Sequence, residues 1–221
     1  VHDRLFTEDD FKDVENGVLK DGVPKQTFTA KVRPGDIKYV DLDKNGFIDT
    51  YDQMAIGGTE NPEIVYGFGV NLRWKELDFG AMFQGIGRTW RILSSNIMPA
   101  SNKGSMYNIF DNYQDRWTVD NQSQDVFYPR ADYGPNANNS QKSTWWLRNM
   151  SFLRLKNLEL GYSCPKKWLQ GFVISNARVF VRGTNLLTFS KFNLWDPELA
   201  TGDGAKYPAM KSVSVGFDIT F

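Results

Sequence analysis

One segment of the sequence carries oxygen-bearing side chains at the spacing of a calcium-binding loop. The ligands at relative positions 1, 3, 5, 7, 9 and 12 would be Asp41, Asp43, Asn45, the backbone carbonyl of Phe47, Asp49 and Asp52. Gly46 stands at position 6, where such loops turn sharply. Calcium is the expected ion because hard cations take six or more oxygen ligands from carboxylates and carbonyls. The spacing therefore predicts a calcium loop with a structural role.

A hairpin without an ion competes for the same residues. Asn45-Gly46 is a strong hairpin-turn dipeptide, and residues 37–42 and 47–51 would then form two short strands around it. Asp rather than Glu at the twelfth position shortens the bidentate arm, and no flanking helices are evident. With an ion bound, the segment would resemble a dockerin-type loop rather than a cytosolic sensor. The sequence leaves both interpretations open.

Three tryptophans outside the regular segments are candidates for contact with a substrate or a partner: Trp90, Trp117 and Trp195. Exposed indole rings can stack on sugar rings or dock a second protein. The competing interpretation is that they fill loop cores or lie at a membrane interface. For Trp145-Trp146 the structural role is favoured. Arg154 and Lys156 would either face the lumen of a barrel or pair with Glu159, and the pairing is favoured.

Several classes of function are excluded by residue counts. The single histidine, His2, and the single cysteine, Cys164, rule out histidine-dependent triads, the common zinc sites and an internal disulfide. There are 26 basic and 26 acidic residues without a basic stripe, so no nucleic acid is expected as a partner. No phosphate loop or nucleophile elbow is present, and no catalytic residue or enzyme activity is predicted.

Five segments have the period-two alternation of half-apolar strands. The first two are joined by the two-residue turn Lys75-Glu76, and the third changes phase near its middle, which predicts a bulge. The facing of the fourth is left open by its pattern. The segments are Ile64–Trp74, Leu77–Gly85, Phe152–Tyr162, Ala177–Leu187 and Ser212–Phe221.

These strands suit a transmembrane β-barrel. No apolar run of about 18 residues exists, which excludes a transmembrane helix, whereas barrel strands alternate and are short. Long connections, residues 86–151 and 188–208, alternate with short turns, as extracellular loops and periplasmic turns do in outer-membrane barrels. The same alternation assigns residues 1–63 to an extracellular region and 64–221 to five membrane strands with their loops. A short helix is expected at Met106–Trp117.

The predicted fold class is all-β: the C-terminal antiparallel strands of a large transmembrane barrel with long extracellular loops. Five strands cannot close a barrel, because an open edge in hydrocarbon leaves backbone groups unsatisfied. The sequence also opens without an apolar signal segment. Further strands upstream or on another chain are therefore expected.

Motifs along most of the chain resemble SusC/RagA-type TonB-dependent outer-membrane transporters. The motifs occur in the family's order from about residue 33 onward. They are Arg33–Asp41, Asp43–Asp49, Ile56–Gly58, Asn61–Glu63, Tyr66–Phe68, Phe83–Gly87, Phe152–Tyr162, Gly183–Leu187, Tyr207-Pro208 and Val215–Phe221.

The resemblance implies a barrel of about 22 strands with an N-terminal plug and TonB box in the outer membrane of a Gram-negative bacterium. It implies a SusD-like surface lipoprotein as a lid, TonB as the energy-coupling partner, and oligosaccharides or peptides as substrates. The alternative hypotheses are a secreted, calcium-stabilised carbohydrate-binding β module and a barrel piece with a purely structural role.

Overall fold

The computed structural model describes residues 1–94, 110–132, 134, 136–171 and 173–221. Two compact units are formed by discontinuous segments. The first contains Val1–Gly57 and Ile92–Leu147, and the second contains Gly58–Arg91 and Arg148–Phe221. Among the described residues, no helix has the length and apolar character needed to cross a membrane.

Strands dominate both units. In chain order they are β1 (His2–Leu5), β2 (Phe11–Asp13), β3 (Val18–Leu19), β4 (Lys25–Gln26), β5 (Ile37–Tyr39), β6 (Phe47–Ile48), β7 (Ile64–Trp74), β8 (Leu77–Gly87), β9 (Trp90–Ile92), β10 (Leu147–Asn149), β11 (Phe152–Ser163), β12 (Asn176–Ser190) and β13 (Ser212–Thr220). The helical turns are of the 3₁₀ type and span Glu8–Asp10, Asp111–Gln114, Lys166–Trp168 and Pro197–Leu199.

The second unit is built on a five-stranded antiparallel sheet in the order β13-β12-β11-β8-β7. All five predicted strands are present, with β8 and β12 longer than expected. The β7–β8 turn is tight, because Trp74 pairs with Leu77 and Lys75 adopts a left-handed φ of 53°. A register shift between Leu155 and Asn157 confirms the bulge predicted in β11.

The register gives this sheet one apolar face. Side chains of directly paired residues lie on the same side of a sheet. Val70 pairs with Ala81, and Leu160 pairs with both Phe79 and Val181. Beside Leu160 of β11, the apolar face is continued by exposed side chains on the other four strands: Ile64, Tyr66, Phe68, Leu72, Trp74, Leu77, Leu187, Phe189, Val213, Val215, Phe217 and Ile219. This is the surface that a strand wall presents to lipid.

The opposite face is polar and rich in glycine. Arg178 of β12 reaches across β11 to the carboxylate of Asp78 on β8, and it also contacts Glu159 at 2.6 Å and Asp218 at 3.2 Å. Gly161 leaves the space for this crossing, since a Cβ there would collide with the side chains of Arg178 and Asp78. We name this group of residues around Arg178 the charged ladder.

The first unit consists of small two-stranded sheets over a compact core. β1 pairs with β5 and β2 with β3, both antiparallel, whereas β4 pairs with β6 in parallel. One apolar cluster of this unit consists of the buried side chains Phe6, Phe11 and Val32, against which Leu19 and Val23 pack.

A buried polar network surrounds Asp36 in the same unit. Asp36 is fully buried, and its carboxylate lies 2.9 Å from the Arg130 guanidinium. It also accepts hydrogen bonds from the side-chain amides of Asn136 (3.0 Å) and Asn139 (2.9 Å). Burial raises the pKa of the Asp36 carboxyl, and these donors offset part of that effect. The network joins residues about 100 positions apart in the chain.

The expected helix Met106–Trp117 lies partly outside the described residues. From Phe110 onward the structure has only the 3₁₀ turn Asp111–Gln114, so a helix continuing to Trp117 is wrong for this part. The Trp117 amide instead donates to the carbonyl of Tyr128 at 3.0 Å, in an irregular segment beside the Arg116–Tyr128 bridge.

Candidate functional site

The acidic loop, residues 41–52, brings three of its carboxylates together. One oxygen each from Asp41, Asp43 and Asp52 lie within 4.8 Å of one another. The backbone reaches this geometry through two left-handed positions, Lys44 (φ 60°) and Gly46 (φ 87°). Gly46 thus has the role that the calcium-loop spacing requires at position 6. Asp43 is exposed, whereas Asp52 is buried.

Backbone amides hold the carboxylates in place. Asp52 accepts from the amides of Leu42 (2.7 Å) and Asp49 (2.9 Å), and Asp41 Oδ2 accepts from Gly46 at 2.8 Å. Desolvation opposes ionisation of Asp41, but the amides of Gly46 and Lys44 keep its pKa below the ordinary value. Asp41 Oδ1 is buried without a hydrogen-bond partner in the described residues. A buried carboxylate oxygen without a donor fits a cation ligand.

Two of the remaining predicted ligands, Asn45 and Asp49, each accept a local hydrogen bond with one side-chain oxygen. Asn45 Oδ1 accepts from the Phe47 amide at 2.8 Å, and Asp49 Oδ1 accepts from the Tyr51 amide at 2.7 Å. These are local turns of the kind that Asn and Asp side chains form with the amide two residues on. Asp49 lies outside the group formed by the three other carboxylates.

The hairpin interpretation of the acidic loop is wrong. Residues 37–39 form β5, which pairs with β1, and residues 47–48 form β6, which pairs in parallel with β4. The two stretches that flank Asn45-Gly46 therefore do not pair with each other. The loop connects two separate sheets, and its carboxylates face one another without a hairpin ladder.

The three candidate tryptophans each pack on a glycine. A Cβ on Gly58 would lie 2.7 Å from Trp90, and one on Gly204 would lie 2.9 Å from Trp195. Trp90 and Trp195 are half-buried. Their glycine contacts fix one side of each ring, so a ligand would have to use the remaining surface. Contact of these two residues with a substrate or partner stays a prediction.

Trp117 differs from the other two because it is buried. Its ring lies directly over Gly35, where a Cβ would collide with it. A buried ring offers little surface for stacking on a sugar or a partner, so the geometry favours a packing role. Trp145 and Trp146 are also buried, in keeping with the structural role expected of them.

The loop between β12 and β13 is anchored by ion pairs that sequence reasoning missed. Buried Arg154 contacts the carboxylate of Asp196, and Lys156 lies 2.7 Å from Glu198. The expected pairing of both bases with Glu159 is wrong, because Glu159 pairs with Arg178 and Arg182. The Asp-Pro-Glu sequence at 196–198 was the available signal, since Asp196 also caps the 3₁₀ turn that follows it.

Comparison with known sequences locates relatives over most of the chain. No family model matches the sequence. TonB-dependent receptor P26 of Formosa agariphila is 32% identical over 202 residues, which is 85% of this chain and 20% of the relative. TonB-dependent receptor SusC of Bacteroides thetaiotaomicron is 24% identical over 205 residues, which is 90% of this chain and 19% of the relative.

Solved structures agree with these relatives. The RagAB peptide transporter is 32% identical, with a TM-score of 0.67 over 85% of this chain and 21% of that chain. The RagAB peptide importer in its open-open state gives a TM-score of 0.63 at 32% identity over 82% of this chain and 20% of that chain. The chain belongs to the SusC/RagA-type TonB-dependent transporters. It spans about 20% of the length of the curated relatives that it matches.

Family membership explains the two faces of the sheet. In a SusC/RagA-type outer-membrane barrel, the apolar face of β7, β8, β11, β12 and β13 meets lipid, and the polar face with its glycines and charged ladder meets the lumen. The relatives are named as receptors and a peptide transporter, which agrees with the expectation that no catalytic residue is present.

Proposed function

We propose that this chain is the C-terminal barrel portion of an importer that carries oligosaccharides or peptides across the outer membrane with energy relayed by TonB. The observation that carries the proposal is the register of the five-stranded sheet, which puts a continuous apolar surface on one face and most of the charged and polar side chains on the other. The relatives include SusC and the RagAB peptide transporter. Transport would belong to a longer protein, with residues 1–63 as an extracellular region and 64–221 as membrane strands and loops.

The same proposal includes two protein partners. A SusD-like surface lipoprotein would act as a lid on the extracellular side, and TonB would engage a part of the protein outside this chain. Support comes from the relatives and from the long connections between β8 and β11 and between β12 and β13, which leave the sheet at the same end; in an outer-membrane barrel, long loops are extracellular.

The import proposal is tested in the native bacterium with a chromosomal affinity tag on the complete transporter. We expect a surface lipoprotein to co-purify from detergent-solubilised outer membranes, and growth on oligosaccharides or peptides to depend on the transporter gene and on TonB. Loss of the gene without any growth defect on a panel of both nutrient classes would contradict import. The matched control is growth on monosaccharides and free amino acids, which should stay unchanged.

Calcium in the acidic loop is the third element of the proposal. Asp41, Asp43 and Asp52 would supply carboxylate oxygens, and Asn45, Asp49 and the Phe47 carbonyl would complete the shell. The buried, partnerless Asp41 Oδ1 supports an ion here. Calcium would supply a positive charge that binds these oxygens at one point. Their shared attachment would stiffen the link between β5 and β6.

Calcium binding is tested by calorimetric titration of the complete, chelator-stripped transporter. The Asp43→Asn variant should lower calcium affinity by about tenfold or more, because it removes a ligand charge while its side-chain carbonyl still accepts from the Asn45 amide. Asp21→Asn, an exposed carboxylate paired with Lys12, is the matched control and should leave the affinity unchanged. Equal titrations for wild type and Asp43→Asn would mean that the loop is only a turn.

The alternative of a secreted carbohydrate-binding module is disfavoured by the apolar face. A soluble module would bury side chains such as Phe217, Val213 and Trp74, yet each of them is exposed along the sheet. Extraction separates the two hypotheses, since the importer requires detergent and the secreted module does not.

A further inference from the structure

The short turns at one end of the five-stranded sheet lie next to each other. Lys75-Glu76 joins β7 to β8, and residues 164–175 join β11 to β12. The Ser163 amide donates to the Glu76 carbonyl at 2.8 Å, which places the two turns side by side. We call this region the short-turn edge. In an outer-membrane barrel it faces the periplasm.

Each turn combines an exposed tryptophan with lysine. Trp74 ends β7 on the apolar face and is 68% exposed, and Lys75 Nζ lies 5.0 Å from the centroid of its ring. In the second turn, Lys166 and Lys167 precede Trp168 in one 3₁₀ turn, and Trp168 is 66% exposed. The same pair of residue types therefore occurs in two turns that are distant in the sequence and adjacent in space.

The charge of this edge is unbalanced. Its three lysines stand against one acidic residue, Glu76. Across the part of the chain that the structure describes, none of the three forms an ion pair with a carboxylate. The charged ladder does not neutralise them, because Asp78 and Glu159 are already paired with Arg178.

An indole ring and a neighbouring ammonium group together match the chemistry of a lipid headgroup region. Tryptophan lies at the membrane–water interface, because its ring is apolar and its N–H is polar. Lysine places its stem along apolar surface and its charge among the headgroups, where an anionic lipid attracts it. The Lys75 ammonium lies over the ring of Trp74, which stands on the apolar face of β7, so the positive charge and the indole are presented together.

We propose that the short-turn edge is a binding site for anionic phospholipid headgroups of the periplasmic leaflet. The phosphates would be held by Lys75, Lys166 and Lys167, and the rings of Trp74 and Trp168 would lie against the glycerol and upper acyl region. The inference rests on the outer-membrane placement of the sheet, and it is independent of the imported substrate.

The test uses the complete transporter in nanodiscs of phosphatidylethanolamine with or without phosphatidylglycerol. Lipids retained after gentle release are counted by native mass spectrometry. The variant is Lys75→Gln/Lys166→Gln/Lys167→Gln, and its matched control is Lys191→Gln/Lys206→Gln/Lys211→Gln, which removes three lysines from the connection between β12 and β13 at the other end of the sheet. At low salt, we expect the affinity for phosphatidylglycerol to fall about fivefold for each turn lysine that is removed, and the number of retained phosphatidylglycerol molecules to fall with it. Retention by the control variant should be unchanged.

The outcomes separate this proposal from the import proposal. Equal retention by wild type and the short-turn variant would overturn the headgroup site, as would an equal loss in the control variant. Retention of phosphatidylethanolamine and heat resistance of the barrel are measured on the same samples, so misfolding of a variant is visible. A second variant, Trp168→Ala, keeps all three lysines and should weaken retention with little change in its salt dependence. Import is measured separately in cells.

Discussion

Gly35 is required both by its backbone and by what lies above it. Its φ of 85° is left-handed, and the Trp117 ring occupies the space that a Cβ would need. Gly35→Ala should therefore destabilise this part of the first unit by about 3 kcal/mol, from backbone strain and overpacking together. Hydrogen exchange of the Arg130 amide, which donates to the Gly35 carbonyl at 2.9 Å, measures the loss.

The control for this prediction is Gly22→Ala. Gly22 has nearly the same φ, 83°, but no atom lies within 4 Å of its ideal Cβ. It therefore reports the backbone strain alone, about 1 kcal/mol. Similar losses of protection in the two variants would mean that the Trp117 contact contributes nothing.

Asp10 makes the first unit sensitive to acid. Desolvation raises the pKa of Asp10, but the hydrogen bond from Lys38, at 2.7 Å, and that from the Thr7 amide outweigh it, so the pKa lies below the ordinary 3.8. Stability from this group is therefore fully present above pH 3.8 and is lost as the pH falls through the lower, folded-state pKa.

This acid dependence is checked by hydrogen exchange of the Lys20 amide, which donates to the Asp10 carbonyl at 2.9 Å. Its protection in wild type should fall below about pH 4, and Asp10→Asn should show weaker protection already at pH 7 with a flatter acid profile. Asp9→Asn, at the adjacent exposed carboxylate, should follow the wild-type profile. Identical profiles for wild type and Asp10→Asn would contradict the assignment.

Residue spacing predicted the candidate metal site only in part. Asp41, Asp43 and Asp52 come together as the spacing indicates, because Gly46 turns the backbone between them. Asn45 is satisfied locally by the Phe47 amide, and a spacing pattern does not distinguish a side chain that binds an ion from one that closes a turn.

At the scale of elements, the charged ladder links four neighbouring strands, β8, β11, β12 and β13, on the polar face. Arg178→Met should destabilise the sheet by about 2 kcal/mol, because Asp78 and Glu159 lose their common partner in a partly screened environment. The change is measured as the unfolding temperature of the complete transporter in detergent. Arg73→Met, on the same face of β7, is the comparison and should lower that temperature clearly less, since Arg73 lies opposite Asp78 and attracts it only at longer range, without an ion pair in the described residues. An equal effect of the two variants would mean that the ladder is not a stabilising unit.

The five long strands were predictable because alternation with a period of two marks most of their length, and the bulge was predictable because the phase of β11 changes at its middle. The short strands β1 to β6 were not, since two to four residues carry no measurable period. Their pairing depends on long-range contacts, such as the buried bonds of Asn139 with Asp36 and Ile37. The charged ladder could not be predicted from the sequence either, because it also depends on a long-range contact: Arg178 and Asp78 are 100 positions apart.

At the scale of the whole molecule, the alternation of long and short connections indicates in which direction each of the five long strands crosses the membrane. The short turns after β7 and β11 lie at one end of the sheet, and the long connections after β8 and β12 lie at the other. A soluble sheet has no physical reason to follow this rule, whereas a membrane barrel does, because its loops face two different compartments. Connection length therefore indicated a membrane location better than mean hydropathy did, because apolar and polar residues alternate along these strands and their average is polar.

The final prediction separates a lipid-facing wall from a soluble sheet. Leu160 on the apolar face and Met82 on the polar face are similarly exposed, 54% and 49%. A soluble sheet would tolerate Leu160→Lys and Met82→Lys about equally, because both lysines would reach water. In a membrane, Leu160→Lys places an ammonium group in hydrocarbon between the midplane and the interface, and it should cost about 1–2 kcal/mol more than Met82→Lys, whose lysine faces the lumen. The measurement is the denaturant midpoint for each variant of the complete transporter folded into phosphatidylethanolamine vesicles containing phosphatidylglycerol. Equal midpoints would contradict the assignment of the apolar face to lipid, whereas a lower midpoint for Leu160→Lys alone would place β11 in the membrane with Leu160 pointing outward.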